Sequence, residues 1–410
     1  MKLRHLLMWA HGVALCLALV EPAMAGGFLA GLLDMQDSSP HAKSYAVLDE
    51  DFEPTSVAWS PDGRHIADDG VLGAEIHIWD VARRSIVKRI ALKYGAAGEF
   101  SSMAWSSDGR YLAAARGGSA PMLVLNTSDW RPVLLQAAAN FPGGDSPAFS
   151  SDGKLLALDT GGIDQQGVRT PHIIRVYSTD TWQLYRELSF SDTDRPDHPV
   201  GWGFRIDRLA FQPGTHNLAI GMHGGFGFPP GMPIPMRDAN GAFVTDVPTS
   251  SRVIFWNVDG RAPDLLTSDL DQSIVAYKGG WNIEALVFSP DGRQLAAGTS
   301  TGIGRPPNQV RDSVHIYDSS SRALLAAPLD GLDDGGHPDA LGYIDNGNYL
   351  LLGHYDKSGT LDIIDTHTFK VIESLGANGF VASLAVDPSR SRFVVTSDHK
   401  LMIWDFVDKP

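Results

Sequence analysis

The sequence predicts an all-β fold: a seven-bladed β-propeller of four-stranded antiparallel blades, its ring closed by a strand from the N-terminal side. Three observations carry this. A hairpin element recurs along the chain, most completely as Val57-Ala58-Trp59-Ser60-Pro61-Asp62-Gly63-Arg64 followed by His65-Ile66-Ala67. A closing element, Ile76-His77-Ile78-Trp79-Asp80, ends the same unit. A strand-like stretch, Tyr45 to Asp49, stands alone before the first unit, while the last unit, Val381 to Val407, stops after its third strand.

Each element has a physical reason. Asp-Gly between two alternating apolar runs supplies the positive φ values of a tight hairpin turn. It returns as Trp105-Ser106-Ser107-Asp108-Gly109-Arg110, Phe149-Ser150-Ser151-Asp152-Gly153-Lys154 and Phe288-Ser289-Pro290-Asp291-Gly292-Arg293. Weaker copies are Phe211-Gln212-Pro213-Gly214, Tyr343-Ile344-Asp345-Asn346-Gly347 and Val386-Asp387-Pro388-Ser389. The closing pair places a large ring between sheets and a short polar residue at the next turn. Its copies are Tyr177-Ser178, Trp256-Asn257, Tyr317-Asp318 and Trp404-Asp405, with Leu125-Asn126 and Ile364-Asp365 lacking the ring. No unit shows a helical period. Regularly spaced short strands in repeats of roughly 40 to 50 residues select a propeller over a β-solenoid. An open ring exposes strand edges, so Tyr45 to Asp49 is expected to pair with the third strand of the last blade, around Leu401 to Trp404.

The Phe/Trp-Ser-Pro/Ser-Asp-Gly-Arg/Lys runs resemble the TolB-type propeller repeat, and the Ile-Trp-Asp endings resemble the WD-repeat family. The resemblance spans about Tyr45 to Val407. It implies the propeller fold and a cell-envelope setting, and is nearly silent on activity. None of the units closing on Trp79, Trp256 or Trp404 is introduced by a Gly-His dipeptide, so the side-chain network typical of WD repeats is not implied for them.

Lys2 and Arg4, the apolar run Leu6 to Val20 and the small residues Ala23-Met24-Ala25 have the layout of a secretory signal peptide. The run is short of the ~20 residues a membrane span needs. The expected organisation is a signal peptide at 1–25, a linker at 26–42 and the propeller at 43–410, with a mature chain starting at Gly26 in the periplasm or outside the cell. An uncleaved anchor is the alternative. Cys16, the sole cysteine, falls in the leader, so no disulfide is expected despite an oxidising destination. The formal charge of −15 argues against nucleic acid and anionic membrane surfaces as partners.

The expected insertions are Thr160 to Pro171, Gly224 to Ser251 and Thr299 to Ser313 between second and third strands. Between blades they are Ser189 to Asp207, Thr267 to Glu284 and Asp330 to Ala340. All would lie at the end of the ring opposite the Asp-Gly turns, on blades three to six. Long loops on a rigid scaffold carry binding. The longest holds Phe226, Phe228, Met232, Ile234, Met236 and Phe243 among prolines, an apolar set suited to a protein interface or to a lid over the channel.

Other residues carry candidate chemistry. Gly298-Thr299-Ser300-Thr301-Gly302 matches a nucleophile pattern, but it follows a strand without the strand-to-helix turn that pattern needs, and reads as a polar loop. Met222, His223, Met232 and Met236 offer thioether and imidazole ligands suited to Cu(I), or simply adaptable packing. Asp330, Asp333, Asp334, His337 and Asp339 form an acidic stretch without a calcium-loop spacing, and His198 lies in a similar run. Haem, zinc, phosphate-loop and glycosidase signatures are absent from the sequence, so no cofactor is expected. The reading is an exported, non-enzymatic scaffold that binds a protein or peptide through its loop-rich face. The alternative is a propeller hydrolase or lyase acting on a small molecule or sugar in the central funnel, and a copper-handling protein comes third.

Overall fold

A computed structural model describes residues 39–49, 53–70, 75–91, 100–116, 122–133, 143–163, 169–190, 205–225, 249–260, 274–278, 282–300, 312–332, 337–355, 359–377 and 379–407. The expected leader and most of the linker lie outside them.

The described strands form seven four-stranded antiparallel sheets. After β1 (Ala42–Asp49), blade one holds β2 (Val57–Trp59), β3 (His65–Asp68), β4 (Glu75–Asp80) and β5 (Ser85–Ala91). Blade two holds β6 (Phe100–Trp105), β7 (Tyr111–Arg116), β8 (Leu123–Asn126) and β9 (Arg131–Pro132). Blade three holds β10 (Gly143–Phe149), β11 (Leu155–Ile163), β12 (Arg169–Ser178) and β13 (Leu184–Phe190). Blade four holds β14 (Arg205–Phe211), β15 (Asn217–Gly225), β16 (Thr249–Asn257) and β17 (Ile274–Lys278). Blade five holds β18 (Asn282–Phe288), β19 (Gln294–Ser300), β20 (Asp312–Asp318) and β21 (Leu324–Leu332). Blade six holds β22 (His337–Ile344), β23 (Tyr349–Tyr355), β24 (Thr360–Asp365) and β25 (Lys370–Gly376). Blade seven has β26 (Leu384–Val386), β27 (Arg392–Ser397) and β28 (Lys400–Phe406), and β1 is its outer strand.

The ring closes as expected. Ala46, Val47, Leu48 and Asp49 pair with Ile403, Met402, Leu401 and Lys400, and the ladder continues to Ala42 opposite Phe406. A register shift between Ser44 and Ala46 sets Tyr45 apart from the ladder. Its ring lies between two guanidinium groups, 5.1 Å from Arg84 of blade one and 4.2 Å from Arg392 of blade seven.

The core is divided among the junctions. Seven buried clusters form, each shared by two neighbouring blades. The closing aromatic of a blade faces the blade before it: Trp256 packs with Ile174 and Val176, and Trp404 with Leu361 and Ile363. The rings predicted from the closing pairs therefore join blades to one another.

The Asp-Gly turns are built alike. The serine before each turn donates to the turn aspartate, Ser60 to Asp62 and Ser289 to Asp291 at 2.6 Å each, while its hydroxyl accepts the N–H that opens the next strand. Neighbouring turns also touch. Gly109 has φ +75°, and a Cβ there would stand 3.3 Å from Cγ of Pro61 in the preceding blade, so both backbone conformation and space call for glycine. Blade three's Ser151 hydroxyl accepts from Gly214 N at 2.9 Å, and Gln212 Nε2 donates to Gly292 O at 2.8 Å, which extends the collar across blades four and five.

Three insertion assignments are corrected. Thr267 to Glu284 contains the fourth strand of blade four, β17, so the long connection there is 258–273, on the Asp-Gly side of the ring. An outer strand is half exposed and its apolar alternation is weak, so Ile274-Val275-Ala276-Tyr277 does not announce itself. Asp330 to Ala340 is not a long insertion, because β21 and β22 run into it and leave only 333–336 between them. Thr160 to Pro171 is largely paired, with Ile163 opposite Arg169.

Candidate functional site

The end of the ring opposite the Asp-Gly turns carries the connections between second and third strands. Blades three and four rise furthest there. Their second strands run nine residues each, against four for β3 of blade one. At about 3.3 Å per residue this is a difference of roughly 16 Å in strand length. The ladder of β15 with β16 stays paired to its last step, Gly225 opposite Thr249.

Beneath this rim lies a layer of buried polar side chains that tie strands together. In blade one His77 is fully buried, with Arg89 Nη1 2.7 Å from its Nε2. The same Nε2 lies 3.3 Å from Glu75 Oε2, and Nδ1 lies 3.7 Å from Asp68 Oδ1. The other Asp68 oxygen accepts Trp79 Nε1 at 2.6 Å. Blade six inverts the pair: His354 Nε2 on the second strand lies 2.9 Å from Asp362 Oδ2 on the third. Blade three places Arg175 Nε 2.9 Å from Glu187 Oε2. In blade four Asp207 Oδ2 accepts the N–H of Ile283 from the next blade at 3.1 Å. Among the described residues these groups tie strands of the scaffold together.

The sequence-derived site residues divide three ways. Phe226, Phe228, Met232, Ile234, Met236, Phe243 and His198 lie outside the described residues. Met222 is fully buried in the core shared by blades three and four, where it serves as packing, while His223 is a backbone position of β15 opposite Arg205. Gly298 to Ser300 are strand rather than loop, a correction to the loop reading. Ser300 is buried and its hydroxyl donates to Glu284 Oε1 at 2.5 Å, a structural tie between β18 and β19. The acidic stretch is dispersed: Asp330 lies in the outer strand of blade five, and His337 and Asp339 in the inner strand of blade six. Asp333 and Asp334 lie outside the described residues. Among the described residues, no three His, Cys, Asp or Glu side chains converge as metal ligands.

One group at this end has an unusual charge balance. Asp69, at the exit of β3, is 3% exposed. It accepts from the N–H groups of Thr55 and Ser56, each at 2.8 Å, and from the Thr55 hydroxyl at 2.5 Å. Burial pushes its carboxyl up more than these donors pull it down, to about 7. A raised folded-state value means that its stabilising contribution is full below pH ~4 and is lost as pH rises through 7. Asp69→Asn keeps an acceptor for both N–H groups and removes the titration. Its stability relative to the parent should therefore rise between pH 4 and pH 8 by about 2–4 kcal/mol. Denaturant unfolding at the two pH values measures this, and a pH-independent difference would show that the carboxyl is ionised throughout.

Comparison with known families adds a decisive register. Residues 369–405 match the family model described as WD domain, G-beta repeat. The matched stretch crosses a blade boundary: it takes in β25, the outer strand of blade six, and the three inner strands of blade seven. That phase and the ring of seven four-stranded blades are similar to those of WD-repeat β-propellers, and the family model covers one repeat of the ring. WD repeats offset from their blades require an outer strand from elsewhere to close the last one, and β1 supplies it. The indole of Trp79 bonds Asp68, while the indole N–H groups of Trp256 and Trp404 have no hydrogen-bond partner among the described residues. No curated protein matches the chain. WD-repeat propellers in general bind protein partners.

Sequence reading missed the polar layer. Its third-strand members, His77, Arg175 and Asp362, each stand three residues before a closing-pair polar residue, and aligning the repeats on that pair would have revealed them.

Proposed function

We propose that this WD-repeat propeller is an exported, non-catalytic scaffold that holds a protein or peptide of the cell envelope on the rim of blades three and four. The observation that supports it most is the extension of the β11–β12 and β15–β16 ladders beyond the length of the first blade's hairpin. A paired stalk fixes the base of the connection it carries, which lowers the ordering cost of binding. The connection on the β15–β16 stalk is residues 226–248, with the aromatic and methionine content typical of interface centres.

Replacing 226–248 by a short Gly-Ser turn tests the reading. The replacement leaves β15 and β16, and the junction clusters they enter, unchanged, so the melting temperature should stay within about a degree or two of the parent value. Crosslinking and capture from the native envelope fraction should lose the partner. Capture that survives the replacement would overturn the assignment of this rim. Intact mass of the exported chain tests the leader, with Gly26 as the expected first residue.

A further inference from the structure

The opposite end of the ring holds a pocket of about 380 Å³ between the turns of blades one and two, within the size range of small-ligand sites. Pro61, Asp62 and His65 line it from blade one, and Trp105, Asp108 and Trp130 from blade two. Its origin is a change of ring at one junction. Between blades two and three, Tyr111 opens the second strand and packs edge-on against Trp182, with centroids 4.8 Å apart at 90°. The matching positions one junction earlier are His65 and Trp130. The smaller imidazole does not fill the space, and Trp130 pairs instead with Trp105 of its own blade, 6.0 Å apart at 83°.

The gap is lined by two carboxylates, Asp62 and Asp108, and two indoles, Trp105 and Trp130. Asp108 is saturated: Oδ1 accepts from Ser106 and from Arg110 N, and Oδ2 from Arg110 Nε at 2.6 Å. Asp62 is not. Its Oδ1 accepts from the Ser60 hydroxyl at 2.6 Å and from Arg64 N at 3.0 Å, while Oδ2 has no hydrogen-bond donor among the described residues. Burial raises the Asp62 carboxyl, but the Ser60 hydroxyl, the Arg64 N–H and nearby His65 and Arg64 outweigh it and hold it below the ordinary range. At neutral pH the pocket thus holds an ionised Asp62 with one oxygen lacking a donor among the described residues, together with two indoles in its lining.

We propose that this pocket binds the ammonium group of a lysine side chain presented by a protein partner. Indole faces attract a cation, and one open carboxylate oxygen satisfies a point charge. A guanidinium fork would ask for two free oxygens in one plane, and Oδ1 is already taken. The acidic chain, at −15, favours a basic partner in the first place. The site lies across the ring from the blade three and four rim and stands or falls independently of it.

Trp105 and Trp130 are the reporters. In ¹⁵N-labelled protein, titration with Nα-acetyl-lysine methylamide should move both indole N–H signals along a saturable curve. The Nε-acetylated analogue should move neither, and Nα-acetyl-arginine methylamide should bind more weakly. Asp62→Asn keeps the Oδ1 acceptor of the turn and should weaken lysine binding roughly threefold to tenfold. His65→Tyr places at this junction the ring that Tyr111 provides at the next, and should abolish the shifts in a protein that remains folded. Absent or non-saturating shifts, equal response to the acetylated analogue, or unaltered binding in both variants would overturn the proposal. Tighter binding of the arginine derivative would overturn the choice of lysine.

Discussion

Deleting residues 42–49 is expected to destabilise the propeller by on the order of 5 kcal/mol and to make it associate. The strand buries Ala42, Ala46 and Leu48 against two junction clusters, and these side chains and those they cover would return to water. Its loss also removes the Tyr45 ring from between Arg84 and Arg392, and the contact of His41 Nδ1 with Glu373 Oε2 at 2.9 Å. The exposed β28 would present a row of unpaired backbone groups, a template for pairing with a second chain. Thermal melts and size-exclusion chromatography of the truncated chain check both halves. A monomer that melts at the parent temperature would mean that blade seven is stable with three strands.

The second large effect separates two tryptophans that look equivalent in sequence. Trp79 and Trp256 both close a blade, and Trp256 is the more buried, at 1% against 5% exposed. Burial alone would rank Trp256 as the costlier residue to shorten. Hydrogen bonding reverses the order. Trp79 Nε1 donates to a fully buried carboxylate at 2.6 Å, whereas Trp256 Nε1 has no partner among the described residues. Trp79→Phe leaves Asp68 buried with one donor fewer and should cost about 3–4 kcal/mol. Trp256→Phe removes an unsatisfied N–H along with some volume and should cost about 1 kcal/mol. Denaturant unfolding of the two variants gives the comparison directly. Equal costs would mean that the Trp79–Asp68 bond adds no stability beyond ring burial.

The positive-φ residues of the third-to-fourth turns show how much of the local geometry is carried by backbone alone. Arg84, Trp130, Trp182, Arg322 and Phe369 have φ between 53° and 61°, and each N–H bonds the carbonyl four residues earlier. None is glycine. A bulky side chain in this region is strained, and it persists because its ring or guanidinium reaches a neighbouring side chain, as Trp182 does with Tyr111 and Arg322 with Phe255.

Sequence by itself determined the architecture of this protein: the number of blades, the place of each Asp-Gly turn, the closing rings and the strand that completes blade seven. These follow from short-range chemistry repeated seven times, because a turn residue or an alternating strand reads the same wherever it lies. Tertiary structure alone decided what depends on neighbours distant in the chain. It placed 258–273 at the other end of the ring from the rim insertions, spent Ser300 and Met222 on the scaffold, and paired Trp79 with Asp68. It also opened the pocket at one junction, since His65 and Trp130 are unremarkable alone. Only when blade two is set against blade one does the smaller ring leave a space, with a free carboxylate oxygen at its edge.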